Sequence, residues 1–223
     1  MQIINSDGSE PEMCGNGIRC FARYLELSGK TSKKELNIET LAGIIKPSLV
    51  EQDENTLVRV DMGEPRLKPD EIPIKTPEVG EPVTKVINQP LKVEDQIFNI
   101  NAVSMGNPHC IIFLEDLDNF NFEYWGPKLE NYFMFPRKTN VEFVKVEDRH
   151  NLRVKVWERG AGPTLACGTG ACATLVAAVL NGLTEKKANV HLPGGTLEIE
   201  WTEDNHVIMT GPADLSFAGF FNI

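Results

Sequence analysis

Apolar residues recur along this chain at two periods, one helical and one strand-like, and the two alternate. Ile18, Phe21, Ala22 and Leu25 fall at i, i+3, i+4 and i+7 with Arg19, Arg23 and Glu26 on other faces, which predicts an amphipathic helix ending near Ser28-Gly29. The run 168–180 is apolar almost all round and predicts a central helix wrapped by strands. Short apolar or alternating runs predict strands at 36–40, 44–45 and 58–62, then at 97–103, 110–114, 141–144, 152–157, 190–192, 197–201 and within 206–211. Turns fall at Ala42-Gly43, Gly106-Asn107-Pro108-His109 and Pro193-Gly194-Gly195. The Phe-rich tail 215–223 is expected to return and cover a sheet edge.

The pattern occurs twice. Cys14-Gly15-Asn16-Gly17 opens the first helix and Cys167-Gly168-Thr169-Gly170 the second, and each copy reaches a glycine fifteen residues after its cysteine, at Gly29 and Gly182. Nine residues before each cysteine a polar residue, Asn5 or Glu158, ends a strand-like run, 1–4 or 152–157. A strand, turn, strand pattern follows each helix, and then a further run, 58–63 or 206–211, each ending in a glycine. This internal duplication predicts an α/β (α+β) chain of two pseudo-symmetric domains, each a mixed, mostly antiparallel sheet around a central helix, with the cysteine-bearing helix starts meeting across one cleft. Residues 1–63 are read as an incomplete N-terminal half-domain, with 212–223 as the segment offered to complete it, and 64–211 as the C-terminal domain. The stretch 64–90, holding six of the fourteen prolines, reads as the connection. A strand region precedes the second copy where nothing precedes Met1, so the first half is expected to be truncated at its N-terminus.

Composition narrows what such a chain does. At 223 residues and 41% hydrophobic it can bury a real core. A net charge of −10, with no cluster of Lys and Arg among aromatics, argues against nucleic acid and against anionic membrane surfaces. The longest apolar run, 171–180, is too short to span a bilayer. Five cysteines, an odd number without framework spacing, fit a reducing compartment, and the location expected for the chain is cytoplasmic, with the plastid stroma as the option that the family resemblance given below would imply in a plant. No Cys-x-x-Cys pair and no neighbouring histidine completes a ligand set, so no metal is expected.

A cysteine before an apolar helix is, by itself, most often core. Two of them in repeated glycine-rich helix starts suggest more. Unpaired N–H groups and the positive end of the dipole favour a thiolate or a substrate carboxylate there. Facing thiols suit inversion of a stereocentre, in which one face of a carbon loses a proton and the other gains one.

The runs Asn5 through Gly17, Gly106-Asn107-Pro108-His109, Thr139-Asn140, Glu158-Arg159-Gly160 and Cys167 through Ala171 resemble diaminopimelate epimerase, and the similarity covers essentially the whole chain. The resemblance implies a PLP-independent, cofactor-free isomerase of two similar α/β domains with the active site between them. By the same resemblance that isomerase would interconvert LL- and meso-diaminopimelate in lysine and peptidoglycan-precursor synthesis. It implies Cys14 and Cys167 as the base and acid pair, with His109 and Glu158 beside them. Asn5, Asn107, Asn140 and Arg159 would grip the distal end of the substrate, and Gly15, Asn16, Gly168 and Thr169 the reacting carboxylate. The implied partner is small-molecule diaminopimelate, with a homodimer as the protein assembly considered. The sequence departs from the family in lacking a Gly-Leu-Gly-Asn type motif before Met1. Three alternatives stay open: a related cofactor-free amino acid racemase, such as a proline racemase relative, which Asn16 and the Glu158-Arg159-Gly160 segment argue against; an inactive or incomplete fragment of the epimerase; and a redox role for the cysteine pair.

Overall fold

Two helices of equal length anchor the fold, and each has its own unit of chain. The computed structural model describes residues 1–4, 8, 10, 14–41, 43–52, 55–76 and 83–219. It divides into one unit of Met1–Asp61 with Thr210–Ile223 and another of Met62–Met209.

In the first unit, α1 (Gly15–Leu27) buries Ile18 and Ala22, spaced i and i+4, on the stripe its periodicity predicts. Phe21 and Leu25, on the same stripe, are only partly covered. Strands β1 (Ile38–Thr40) and β2 (Gly43–Ile45) pair antiparallel as a two-stranded sheet, and β3 (Ser48–Gln52) pairs antiparallel with β4 (Asn55–Asp61). Helix α1 packs on β3 and β4. The sequence pattern missed β3, which has only Leu49 and Val50 as apolar residues and owes its form to pairing with β4. Residues 1–4 form no strand. The described tail, 213–219, has no regular structure, and Leu215 and Phe217 are 66% and 84% exposed. Over those residues the expected edge cover is not formed, and 220–223 lie outside the described residues.

In the second unit the strands are β5 (Gln89–Val93), β6 (Gln96–Ser104), β7 (Pro108–Phe113), β8 (Asn140–Asp148), β9 (Asn151–Glu158), β10 (Gly162–Thr164), β11 (Lys187–Leu192) and β12 (Gly195–Trp201). Strand β13 (Val207–Pro212) begins here and leads into Thr210–Ile223. In space the order is β13-β12-β11-β9-β8-β7-β6-β5, with β10 on β9. The sheet is mixed: β7 with β8 and β9 with β11 run parallel, while β5–β6, β6–β7, β8–β9 and β11–β12 are antiparallel.

The helices α2 (Phe122–Glu130) and α3 (Gly168–Leu180) both pack on this sheet, which explains why its central strands are apolar on both sides. Helix α3 touches β6, β7, β8, β9, β11 and β12, and its residues from Gly170 through Ala178 are buried, so the wrapped central helix is present. Helix α2 sits on β8, β9 and β10. Around it the core holds Phe98, Ile100, Cys110, Ile112, Leu129, Val141 and Phe143, with Trp125 edge-on to Phe98 at 5.1 Å between centroids.

The sequence pattern did not anticipate α2, because Gly126 and Pro127 interrupt it. Gly126 is there for contact. A Cβ at that position would stand 2.5 Å from the Trp157 ring, so the indole lies against bare backbone. Among the described residues no helix is long and apolar enough to cross a membrane.

Candidate active site

The duplicated turns fold alike. Cys14 caps α1 at φ −133° and ψ 113°, and its Sγ accepts the Gly17 N–H at 3.4 Å. Cys167 caps α3 at φ −128° and ψ 112°, and its Sγ accepts the Gly170 N–H at 3.4 Å. Each thiol thus stands where Ser or Asp usually caps a helix, satisfying one orphan donor of the first turn.

The far ends match as well. Gly29 and Gly182 take the left-handed conformation at φ 67° and 70°. In the first copy the N–H groups of Gly29 and Lys30 return to the carbonyls of Glu26 and Leu25, and in the second those of Gly182 and Leu183 return to Val179 and Ala178. The fifteen-residue spacing of cysteine and glycine is therefore a helix of fixed length between an N-cap and a C-terminal turn.

In the first unit Asn16 Oδ1 accepts from Arg19 Nη2 at 3.1 Å, and Arg19 Nη1 donates to the Gly15 carbonyl at 3.1 Å. Arg19 is 7% exposed, and its Nε reaches the Pro212 carbonyl at 3.3 Å. Arg19 thereby ties the helix start to the returning tail, a role the sequence reading did not assign. Asn5 lies outside the described residues.

In the second unit the remaining predicted residues converge on one end of the sheet. His109 lies at the start of β7, opposite Asn140 at the start of the parallel β8, and Glu158 ends the neighbouring antiparallel β9. His109 Nε2 lies 3.0 Å from Asn107 Oδ1, Asn107 Nδ2 donates to Thr169 Oγ1 at 3.2 Å, and Thr169 Oγ1 lies 3.5 Å from Cys167 Sγ. Glu158 Oε1 accepts the Thr164 hydroxyl at 2.6 Å.

Asn140 spends its amide on the scaffold: Nδ2 donates to the Pro108 carbonyl at 2.8 Å and Oδ1 accepts the Arg159 N–H at 3.0 Å. Exposed Arg159 donates to the Arg137 carbonyl at 3.1 Å. The turn carrying Glu158 and Arg159 passes through Gly160 at φ 77°. Buried Glu130 clamps both sides of it, accepting the Gly160 N–H at 3.0 Å and the Trp157 indole N–H at 2.8 Å.

The sequence reading also missed Glu142. It is fully buried, with Oε1 2.7 Å from His109 Nδ1. A lone acid inside the apolar run Val141-Glu142-Phe143-Val144 was the available signal, since such a residue is buried only with a partner.

Burial pushes the Cys167 thiol up to about 12, with the carboxylates of Glu158 and Glu142 adding to the shift and the Thr169 and Gly170 hydrogen bonds opposing it. Burial likewise raises Glu142 despite His109 beside it, and carries Cys110 well above the ordinary thiol range. All five cysteines are free. Among the described residues no group of three or more His, Cys, Asp or Glu is placed to hold a metal ion.

Solved structures share this architecture. A hydroxyproline epimerase from Agrobacterium vitis superposes with a TM-score of 0.69 over 95% of this chain and 66% of its own, at 14% identity. A phenazine biosynthesis protein from Bacillus anthracis does so at 0.65 over 93% of this chain and 75% of its own, at 18% identity. At those identities the likeness shows the fold alone.

Sequence narrows it further. The diaminopimelate epimerase family model matches residues 1–68 and 101–216. The chain is 59% identical to the diaminopimelate epimerase of Desulfitobacterium hafniense over 98% of its length and 76% of that enzyme's. It is 55% identical to diaminopimelate epimerase 1 of a Nostoc species, over 98% of this chain and 77% of that one. The chain belongs to the diaminopimelate epimerase family.

Proposed function

We propose that this chain interconverts LL- and meso-diaminopimelate in lysine biosynthesis by a two-base mechanism in which Cys14 and Cys167 are the proton-transfer groups. The observation that carries this reading is the paired N-cap geometry, which gives two thiols nearly equal backbone angles and equivalent donors, the N–H groups of Gly17 and Gly170. One thiolate takes the α-proton from one face of the carbon and becomes a thiol. The other thiol gives its proton to the opposite face of the carbanion and becomes a thiolate. Atoms and charge balance without a redox partner, and the reverse reaction starts from the swapped pair. Burial favours the thiol form of Cys167 in the free chain, and the reaction runs from either thiolate according to the isomer bound.

The N–H groups at the helix starts, at Gly15 and Asn16 and at Gly168 and Thr169, suit the reacting carboxylate, and their partial positive charge stabilises the carbanion. His109 and Glu158 stand beside the Cys167 turn to assist proton transfer. Asn5, Asn107 and Arg159 bind the distal amino acid group, and Asn140 acts on that end by fixing the Arg159 backbone. Five free cysteines and bacterial relatives support a cytoplasmic location.

The test is exchange of the α-proton in deuterated water, followed by NMR, with LL-diaminopimelate, meso-diaminopimelate and L-proline offered separately. Exchange and epimerisation of both diaminopimelate isomers, reduced at least about 100-fold by Cys14→Ser and by Cys167→Ser, is the expected result. Exchange on proline alone would overturn the substrate, and a fully active serine variant would overturn the mechanism.

A further inference from the structure

Two thiols are sufficient for the proton transfers, yet the second unit also buries a carboxyl under one of them. Glu142 and His109 are both 0% exposed, and among the described residues Glu142 Oε2 has no hydrogen-bond partner. Alternation along β8 sends Glu142 to the α3 side, away from Val141 and Phe143 in the core around α2. There it lies against the first turn of α3: a Cβ on Gly170 would stand 2.6 Å from Glu142 Oε1 and 3.3 Å from Cys167 Sγ.

The hydrogen bonds from Glu142 to the sulfur have one consistent direction. Asn107 donates through Nδ2 to Thr169, so its Oδ1 faces His109 Nε2, which must carry hydrogen. A neutral imidazole protonated at Nε2 has a bare Nδ1, and the atom opposite, Glu142 Oε1, must then bring the proton. At the other end Thr169 Oγ1 already accepts from Asn107, so its own hydrogen is free for Cys167 Sγ, beside the Gly170 N–H.

An ion pair at Glu142 and His109 would give the same links beyond the ring, but apart from His109 only the residue's own backbone N–H supports the charge, and Oε2 has no side-chain partner among the described residues. Two buried ions cost several kcal/mol each, whereas a neutral acid and a neutral ring avoid that cost. Among the described residues the titratable groups around Glu142 besides His109 are Glu158 and the thiols of Cys110 and Cys167, so there no cation other than His109 favours its ionised form.

We infer that Glu142 is a positioning residue of the reacting site, a protonated acid that fixes His109 as the Nε2–H tautomer and thereby aims the Thr169 hydroxyl at Cys167 Sγ. This rests on Cys167 being a reacting thiol. Loss of the Glu142 proton reverses the chain: Nδ1–H donates to the carboxylate, Nε2 becomes an acceptor, and the Asn107 amide turns over. Thr169 then donates to Asn107, and a thiolate at position 167 keeps only the Gly170 N–H while facing two carboxylates.

Histidine-selective ¹⁵N NMR at neutral pH reads this directly, with His109→Asn identifying the signal among the four histidines. The expected spectrum has one bare nitrogen and one protonated nitrogen, Nε2, in wild type and in Glu142→Gln, whose amide N–H still donates to Nδ1. Glu142→Leu is expected to mix the tautomers. In turnover, Glu142→Gln is expected to retain kcat within about tenfold and Glu142→Leu to lose about 100-fold or more at nearly constant KM. A doubly protonated His109 in wild type, a bare Nε2, or a loss in Glu142→Gln as large as in Glu142→Leu would overturn the inference. Wild type and Glu142→Gln decide the matter even if Glu142→Leu fails to fold. If no variant exchanges the diaminopimelate α-proton, the functional reading falls while the histidine spectra still judge Glu142.

Discussion

Cys14 and Cys167 share backbone angles but not burial: Cys14 is partly covered and Cys167 is buried. A charge at a helix start gains roughly 0.3–1 kcal/mol, whereas each unit of pKa shift is about 1.36 kcal/mol. At 7% exposure, burial outweighs the helix end at Cys167 and pushes its thiol up to about 12. The expectation that the helix start favours a thiolate therefore describes only the smaller contribution at this position. In the free protein at pH 8, alkylation of Cys167 is expected to run at least about 100-fold slower than that of an unhindered thiol. Peptide-resolved mass spectrometry checks this, and a rate equal to that of free cysteine would mean that burial does not control the group. Glu130 and Arg19 show the same scale from the structural side. Each is a buried charge whose hydrogen bonds hold a site segment in place, the Glu158-Arg159-Gly160 turn or the start of α1.

At the scale of elements, the repeat was readable because a helix between a cysteine N-cap and a glycine C-terminal turn leaves a fixed spacing in the sequence. Left-handed backbone at Gly29 and Gly182 costs a residue with a Cβ roughly 1–2 kcal/mol. Gly29→Ala and Gly182→Ala are each expected to lower stability by about 1 kcal/mol. Denaturant melts read the loss, and a neutral result in either would show that its turn relaxes without the glycine. Helix α2 and strand β3 were not readable in this way. Gly126 and Pro127 weaken α2 as an isolated helix, and Trp157, from a distant strand, supplies the surface it packs on. Strand β3 is likewise made by its partner, β4.

Across the whole molecule, Glu142 links the site to stability. Its folded pKa is raised by burial above the unfolded value of about 4.3, so the folded state retains a proton that the unfolded state releases. The stability this group contributes is present in full below the unfolded pKa and is lost as pH rises from there toward the folded pKa. Glu142→Gln removes the titration, so its melting temperature is expected to gain on wild type as pH rises above the unfolded pKa, until the folded pKa is passed. Parallel curves for the two proteins would show that Glu142 is ionised in the folded state and would count against the protonated acid at the site. The net charge of −10 adds a general repulsion at high pH, but it is nearly common to both proteins and cancels in the difference.

What the sequence by itself determined is local and periodic: two capped helices, most of the strands, and the motifs that place the chain in its family. Those features were legible because an N-cap, a left-handed glycine and an apolar period each act within a few residues. What only the tertiary structure decided is the environment: that Cys167 is a buried thiol, that Asn140 spends its amide on Pro108 and Arg159, and that Glu142 lies beneath the thiol with His109. Burial, and the direction of a hydrogen-bond chain, depend on groups that strands β7 and β8 and helix α3 bring together from distant parts of the chain, and no spacing within one segment encodes that sum.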